Sequence, residues 1–347
     1  MKPRVLHIDP QNIDHKLIEQ AAEVIHNRGL VAFPTETVYG LGANALDSKA
    51  VTGIFEAKRR PLDDPLIVHI ADMDDLYKLA EDIPQEAERL LARFWPGPLT
   101  VVLRKKDIVP DIVTTGLDTV AIRMPSNPIA RKFIEVANVP IAAPSANLFG
   151  RPSPTTASHV TDDLDGRIDI VLDGGKTEIG VESTVVEFIE GRVIVLRPGG
   201  TDIEGMRSIL GNVDVSSGRQ DEDRSPGKYP QHYSPRARVV VVERSALQTE
   251  EVIALASDLS SSGHNVGVIA IQEHADDYRQ FDVKVLGPAE DSKTCATRLF
   301  HILREFDAEK AGIIVAEAIP EKGLGLAVMN RLRKAAGPDF DPFSPEA

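Results

Sequence analysis

The chain has 347 residues, 42% hydrophobic and 27% charged, a balance that excludes wholesale disorder at a length that suits two domains. No apolar run reaches the roughly 18 residues of a membrane helix. The opening Met1–Asp9 turns polar before a signal-peptide core could form, and the lone Cys295 excludes an internal disulfide framework, so a cytoplasmic protein is expected. The net charge of −14 argues against sequence-independent binding of nucleic acid, whose affinity rests on phosphate contacts.

In chain order, Ile18, Ala21, Ala22, Val24 and Ile25 recur at helical spacing, and Gly29–Pro34 follows as a strand. Ala50–Lys58 reads as a helix and Pro65–Ile70 as a strand. Ile83–Phe94 reads as a helix that Pro96-Gly97-Pro98 stops ahead of a strand from Leu99 to Leu103. Further strands are expected at Val120–Arg123, Val139–Ala143, Ile168–Leu172, Ser183–Phe188 and Val193–Leu196, the last two forming a hairpin around Glu190-Gly191. The apolar pattern lapses between Gly211 and Arg238, where Ser216–Gly227 has linker composition. It resumes as a small α/β unit with strands at Val239–Glu243, Val266–Ile271, Val283–Leu286 and Ile313–Ala316. The expectation is a mixed α/β chain: a domain over 1–211, a linker or lid over 212–238, and a second domain over 239–347.

Two nucleotide-binding signatures fail on spacing or context. Gly174-Gly175-Lys176-Thr177 resembles the end of a P-loop, but the position that should hold its first glycine is Ile170. Gly40-Leu41-Gly42-Ala43-Asn44-Ala45 matches a dinucleotide fingerprint, with Asp63 and Asp64 downstream. The preceding Pro34–Tyr39 is too polar for a central parallel strand. A dinucleotide-dependent oxidoreductase therefore stands only as an alternative, which a bound nicotinamide would support. A double-stranded RNA-binding protein is a second alternative, resting on Lys58-Arg59-Arg60 and Arg104-Lys105-Lys106; salt-dependent RNA binding without nucleotide turnover would favour it. One cysteine and no closely spaced histidine pair make a protein-held zinc unexpected. What remains is a scatter of Thr35, Thr37, Lys58, Arg60, His69, Arg123, Ser145, Asn147, Ser183 and Arg197 beside strands and glycines. These supply cations, hydroxyls and an imidazole without a nucleophile–base pair, an inventory suited to electrostatic positioning of a polyphosphate and an amino acid.

Taken as strings, the same residues become specific. Phe33-Pro34-Thr35-Glu36-Thr37-Val38-Tyr39-Gly40-Leu41-Gly42 resembles the opening signature of the YrdC/Sua5 family, and Lys58-Arg59-Arg60-Pro61 is similar to its Lys-x-Arg-Pro motif. Pro96–Thr100, Val120–Pro125, Ala143–Asn147, Gly180–Val185 and Leu196–Gly199 continue in the family's order. His232-Tyr233-Ser234-Pro235 and Gly323–Leu332 resemble the linker and the end of the extra domain in the longer, Sua5-type members. The resemblance implies a YrdC-like catalytic domain with a mixed twisted sheet, and a smaller Rossmann-like C-terminal Sua5 domain.

It also implies an activity: ATP-dependent synthesis of threonylcarbamoyl-AMP from L-threonine and bicarbonate, with release of pyrophosphate, as the first step of threonylcarbamoyladenosine formation in tRNA. By resemblance, Lys58 and Arg60 are catalytic. Arg60, Asp64, Thr119, Ser145, Ser153, Arg197 and Tyr233 line ATP. Thr37, His69, Arg123, Ala143 (through its backbone) and Ser183 hold threonine. Mg²⁺ is expected to arrive with ATP and not on a protein site, and a tRNA threonylcarbamoyl-transferase complex to receive the product, without stable tRNA or membrane binding. Asp64 departs from the family's usual Asn, and a carboxylate there would repel phosphates unless it faces elsewhere. Ser225–Gln231 departs from the family's linker, so Tyr233 alone is carried over from that region. Lys58 and Arg60 follow a helix whose apolar face lies elsewhere, so replacing either is expected to leave folding nearly unchanged.

Overall fold

The computed structural model describes residues 2–216, 227, 229 and 231–338. The polar stretch 217–226, with residues 228 and 230, which carries most of the linker reading, lies outside the described residues. The chain divides into two compact units, Met1–Phe149 with Ser153–Lys228, and Gly150–Pro152 with Tyr229–Ala347.

In the first unit the elements are, in order, β1 (Arg4–His7), α1 (His15–His26), β2 (Val31–Phe33), β3 (Gly40–Asn44), α2 (Ser48–Lys58), β4 (Ile67–His69), α3 (Met73–Leu79), β5 (Ala80–Glu81), α4 (Gln85–Phe94) and β6 (Leu99–Lys105). There follow α5 (Asp111–Thr114), β7 (Thr119–Arg123), α6 (Pro128–Ala137), β8 (Ile141–Ala142), α7 (Ala157–Leu164), β9 (Ile170–Asp173), β10 (Thr184–Ile189), β11 (Arg192–Arg197), α8 (Ile203–Leu210) and β12 (Asp214–Val215). The strands form one mixed sheet in the order β1-β9-β2-β3-β8-β4-β7-β6-β10-β11-β12, with β5 beside β6.

The local sequence explains these elements. Asp14 caps α1 by accepting from the Lys16 amide, and the stripe Ile18, Ala21, Ala22 and Ile25 is buried. Asn127 caps α6, Pro128 sits in its first turn, and Asn138 ends it in the left-handed region. The two stripes meet in a core that includes Phe33, Ile129, Phe133 and Leu172.

Two segments differ from the sequence reading. Gly40–Asn44 is itself a strand, antiparallel to β2, and does not form a turn into a helix. A side chain at Gly42 would come within 2.7 Å of Ile141 Cγ2 and 2.9 Å of the Phe33 ring, so this glycine serves sheet packing. The dinucleotide alternative loses its basis, since that fingerprint needs its glycines at a strand-to-helix turn. The boundary read at 211 falls before β12, which pairs with β11, and before Val213, which is buried.

The second unit runs β13 (Arg238–Val242), α9 (Gln248–Ser261), β14 (Val266–Ile271), a 3-10 turn (Gln272–Tyr278), β15 (Asp282–Gly287), α10 (Ser292–Ala308), β16 (Ile313–Glu317) and α11 (Gly325–Ala336). Its four strands are parallel in the order β13-β16-β14-β15, which gives the small Rossmann-like sheet that the resemblance implied. Val252, Ala256 and Leu259 of α9 pack on Val268, Ala270 and Val315. Among the described residues, no helix is long and apolar enough to cross a membrane.

Candidate active site

The first unit's sheet gathers polar residues at one edge by strand arithmetic. Ile67, Val102, Ala121 and Val185 form a small apolar cluster with Leu196. Because side chains alternate along a strand, the residues two positions on toward one edge share that face: His69, Thr100, Arg123 and Ser183. Register places His69 opposite Arg123 and Arg123 opposite Thr100, and the Thr100 and Ser183 hydroxyls lie 2.8 Å apart. His69 is buried with its ring edge-on to Phe33. Burial, then the neighbouring Arg123 charge, push its pKa down to about 3, so it is a neutral imidazole at neutral pH.

The loop from β2 to β3 completes this edge. Thr35 Oγ1 accepts from the amides of Thr37 and Val38 at 3.1 and 3.2 Å and gives its proton to the Val38 carbonyl at 2.6 Å. The Thr37 hydroxyl lies 2.8 Å from that of Thr35, at the same turn. The loop is pinned from outside as well. The amides of Ile179 and Gly180 donate to Glu36 and Thr37 carbonyls, Tyr39 donates its amide to the Pro154 carbonyl, and Ala146 donates to the Tyr39 carbonyl. Three motifs far apart in sequence are thus one hydrogen-bonded assembly. The Tyr39 hydroxyl donates to the Gly175 carbonyl at 2.7 Å, so the glycine pair that mimics a P-loop is a receptor for Tyr39.

The cations behave differently from the sequence expectation. Lys58 is the last residue of α2, is 1% exposed, and donates to the Ser145 and Asn147 carbonyls at 2.5 Å each. Burial and then the Arg60 charge press its pKa well below the ordinary lysine range. Arg59 ends the helix in the left-handed conformation, and Arg60 turns back to donate to the Asp64 and Pro65 carbonyls at 3.1 and 2.8 Å. The Arg60 guanidinium also lies 2.9 Å from the fully buried Asp64 carboxylate, whose other oxygen accepts from the Gly227 amide at 3.2 Å. Asp64 is therefore held against Arg60. The premise that Lys58 and Arg60 stand clear of the folded core is corrected: both are built into it.

Arg197 closes the opposite side, donating to the Ser183 carbonyl at 3.0 Å and to its hydroxyl at 3.2 Å. Close approach here needs a glycine, since a Cβ on Gly199 would fall 2.3 Å from the Ser183 carbonyl carbon. Ser153 is buried and hydrogen-bonded to Glu182. Ala143 gives its amide to the Ile67 carbonyl at 2.9 Å. Sequence reasoning passed over Glu36, Thr100 and Glu182, all buried in this region; the only available signal was their place inside the quoted motifs.

Two assigned residues belong elsewhere in the chain's architecture, one at the far end of a strand and one in the second unit. Thr119 starts β7, at the far end of the strand from Arg123 and roughly 13 Å away at the usual rise, on the same face beyond Ala121. Tyr233 belongs to the second unit, where it is buried with its ring 5.6 Å from that of Phe300 and the Arg331 guanidinium 5.0 Å above it. The cluster Arg104-Lys105-Lys106 is tied down locally, to Glu81 and Asp82, to Asp111 and to the Tyr77 carbonyl. Lys58 and Arg60, two of the cations on which the RNA-binding alternative rested, are buried.

A family model described as telomere recombination, covering Sua5, YciO and YrdC, matches residues 23–199. One described as the C-terminal domain of threonylcarbamoyl-AMP synthase matches residues 200–337. The threonylcarbamoyl-AMP synthase of Pyrococcus abyssi is 49% identical over 94% of this chain and 96% of its own length. That of Bacillus subtilis is 47% identical over 95% of this chain and 94% of its own. The crystal structure of P. abyssi Sua5 complexed with L-threonine superposes with a TM-score of 0.89 at 47% identity, over 96% of this chain and 97% of that one.

Proposed function

Because the chain belongs to the Sua5/YciO/YrdC family and carries the threonylcarbamoyl-AMP synthase C-terminal domain, we propose that it makes threonylcarbamoyl-AMP from L-threonine, bicarbonate-derived CO2 and ATP. This is the first step of threonylcarbamoyladenosine formation in tRNA. The observation that carries the reading is the convergence of Thr37, His69, Arg123 and Ser183 on one sheet edge, bordered by Arg197.

Arg123 takes the threonine carboxylate, for which a guanidinium fork is the fitting shape. Thr37 and Ser183 offer hydroxyls to the threonine side chain, and neutral His69 adds a hydrogen bond without a competing charge. The Ala143 backbone completes that group. The neutral threonine amine forms a bond to the carbon of CO2, a C=O electron pair moves onto oxygen, and nitrogen loses a proton to solvent, giving a carbamate. A carbamate oxygen then attacks the α-phosphorus of ATP, the bond to the bridging oxygen breaks, and pyrophosphate leaves with the electron pair. Arg60 and Arg197 oppose the charge that builds on the phosphates. Lys58 acts by fixing the segment that carries Ser145. Ser153 lies near the same segment in sequence. The apolar strip Ile67, Val102, Ala121 and Val185 offers the adenine a flat platform, with Thr119 at its far end. Tyr233 is assigned to the nucleotide by family resemblance alone.

Among the described residues no group of three histidine, cysteine or carboxylate side chains is placed to hold a metal. Asp64, Glu36 and Glu182 are each engaged by Arg60, Arg123 and Ser153. That donor set fits a Mg²⁺ bound through the phosphates and water; the ion would supply charge neutralisation on the triphosphate. We place the reaction in the cytoplasm, with a separate transferase taking the product to tRNA.

The test is pyrophosphate release with threonine, bicarbonate and ATP each omitted in turn. Release should need all three, and equal rates without threonine would sink the reading. Serine should be slow but not inert, because one methyl contact is worth only about 1–3 kcal/mol of discrimination.

A further inference from the structure

Glu36 is a buried carboxylate that the mechanism leaves without a task. It is 3% exposed, and neither of its oxygens meets a hydrogen-bond donor in good geometry. Among the described residues its close partner is the guanidinium of Arg123, with Nη2 2.8 Å from Oε1 and both side chains 4% exposed. Burying a carboxylate in this way is costly. An ion pair out of water recovers that cost only with good geometry and further hydrogen bonds, and apolar replacements at such positions often stabilise. A charge kept at that cost points to a use other than holding the fold.

The geometry points to one: we propose that Glu36 is the positioning residue that orients Arg123 for the α-carboxylate of the substrate, an inference that rests on the reading of Arg123 given above. The guanidinium has two edges able to form a paired contact. Its Nε–Nη2 edge faces protein oxygens, Nε donating to the Gly97 carbonyl at 3.4 Å and Nη2 making the ion-pair contact with Glu36. Among the described residues Nη1 has no protein partner, so the Nη1–Nη2 end is the one presented to a ligand. The backbone that carries Glu36 is pinned. Its carbonyl accepts from the Ile179 amide at 2.9 Å, its neighbour Thr37 accepts from Gly180 at 3.1 Å, and Thr35 closes the turn on its other side. A carboxylate carried on a pinned backbone and paired with Nη2 thus biases the rotation of a fork whose docking end must be aimed to bind a planar carboxylate.

The experiment measures threonine and ATP dissociation constants, and the thermal midpoint, for the full chain and for Glu36→Gln, Arg123→Gln and the double variant. Glu36→Gln should weaken threonine binding by about tenfold, while ATP binding stays within about twofold. On the Arg123→Gln background, Glu36→Gln should add nothing further, because it acts through Arg123. Unchanged threonine affinity in Glu36→Gln, additive losses, or equal losses for both ligands with a lowered midpoint would each overturn the proposal. If Glu36→Gln does not fold, Glu36→Asp keeps the charge but withdraws it by one methylene; an unchanged threonine affinity there is the overturning result and a selective loss the supporting one. Unchanged threonine affinity in Arg123→Gln would instead overturn the assignment of Arg123, a distinct failure.

Discussion

Lys58 stands in a basic triplet, yet its buried ammonium group serves the Ser145 and Asn147 carbonyls. Lys58→Ala leaves those carbonyls without that donor, and an orphaned buried acceptor costs about 1–3 kcal/mol. We therefore expect a lower urea midpoint together with lost turnover; wild-type stability would show that the Ser145–Asn147 segment holds without it. His69 gives a pH signature. Its folded pKa of about 3 lies below the 6.5 of an unperturbed histidine. The unfolded chain therefore takes up a proton that the folded one refuses. The stability this provides is whole above pH 6.5 and drains as pH falls toward 3. His69→Gln should flatten that limb in unfolding free energies measured between pH 4 and 8, and an unchanged slope would contradict the burial argument. Thr37, Arg123 and Ser183 each sit in a string with a recognisable neighbour pattern, which drew attention to them, whereas His69 lies in none and stood out only as an imidazole at a strand end. Glu36 and the embedded role of Lys58 were not legible, since charge type alone says nothing about what surrounds it after folding.

Elements with a strong period were legible and those made by distant pairing were not. α1 shows its stripe, and β6 is bounded by Pro98 and its own apolar run. β3 carries two glycines in five residues, so its strand character comes from β2 and β8 on either side. β12 is two residues long and exists as a strand only against β11. The turn after β11 is where an element-level change should matter most. Gly199→Ala would press a methyl group against the Ser183 backbone, and a crowded backbone yields less readily than a side chain. Overpacking typically costs about 1–3 kcal/mol, so the thermal midpoint should drop. Activity should fall further than stability, because Ser183 and Arg197 are displaced together. A variant with normal kinetics would show that this turn has slack.

Over the whole chain, the two units each have their own sheet and core, which the lapse in apolar pattern near Gly211 foretold in outline only. A fragment ending at residue 211 lacks β12 and the buried Val213, whereas one ending at 228 keeps both. The longer fragment should fold with a sharp thermal transition and the shorter one should melt earlier. Equal midpoints would mean that β12 contributes nothing. Neither fragment contains Tyr233, and full adenylate synthesis by the longer one would remove that residue from the nucleotide site.

The strand order of the first unit has a consequence for synthesis of the chain itself. Arg4 pairs with Ile170, and Leu99 with Thr184, so neighbours in the sheet leave the ribosome far apart in time. A chain dominated by such distant pairings folds slowly. Until residues 183–197 emerge, β6 lacks its β10 neighbour and the apolar face around Val102 stays open, a template for pairing with other nascent chains. Substrate binding thus cannot precede the emergence of residues 183–197, and in a cell the dependence on chaperones should be greatest in the interval just before it.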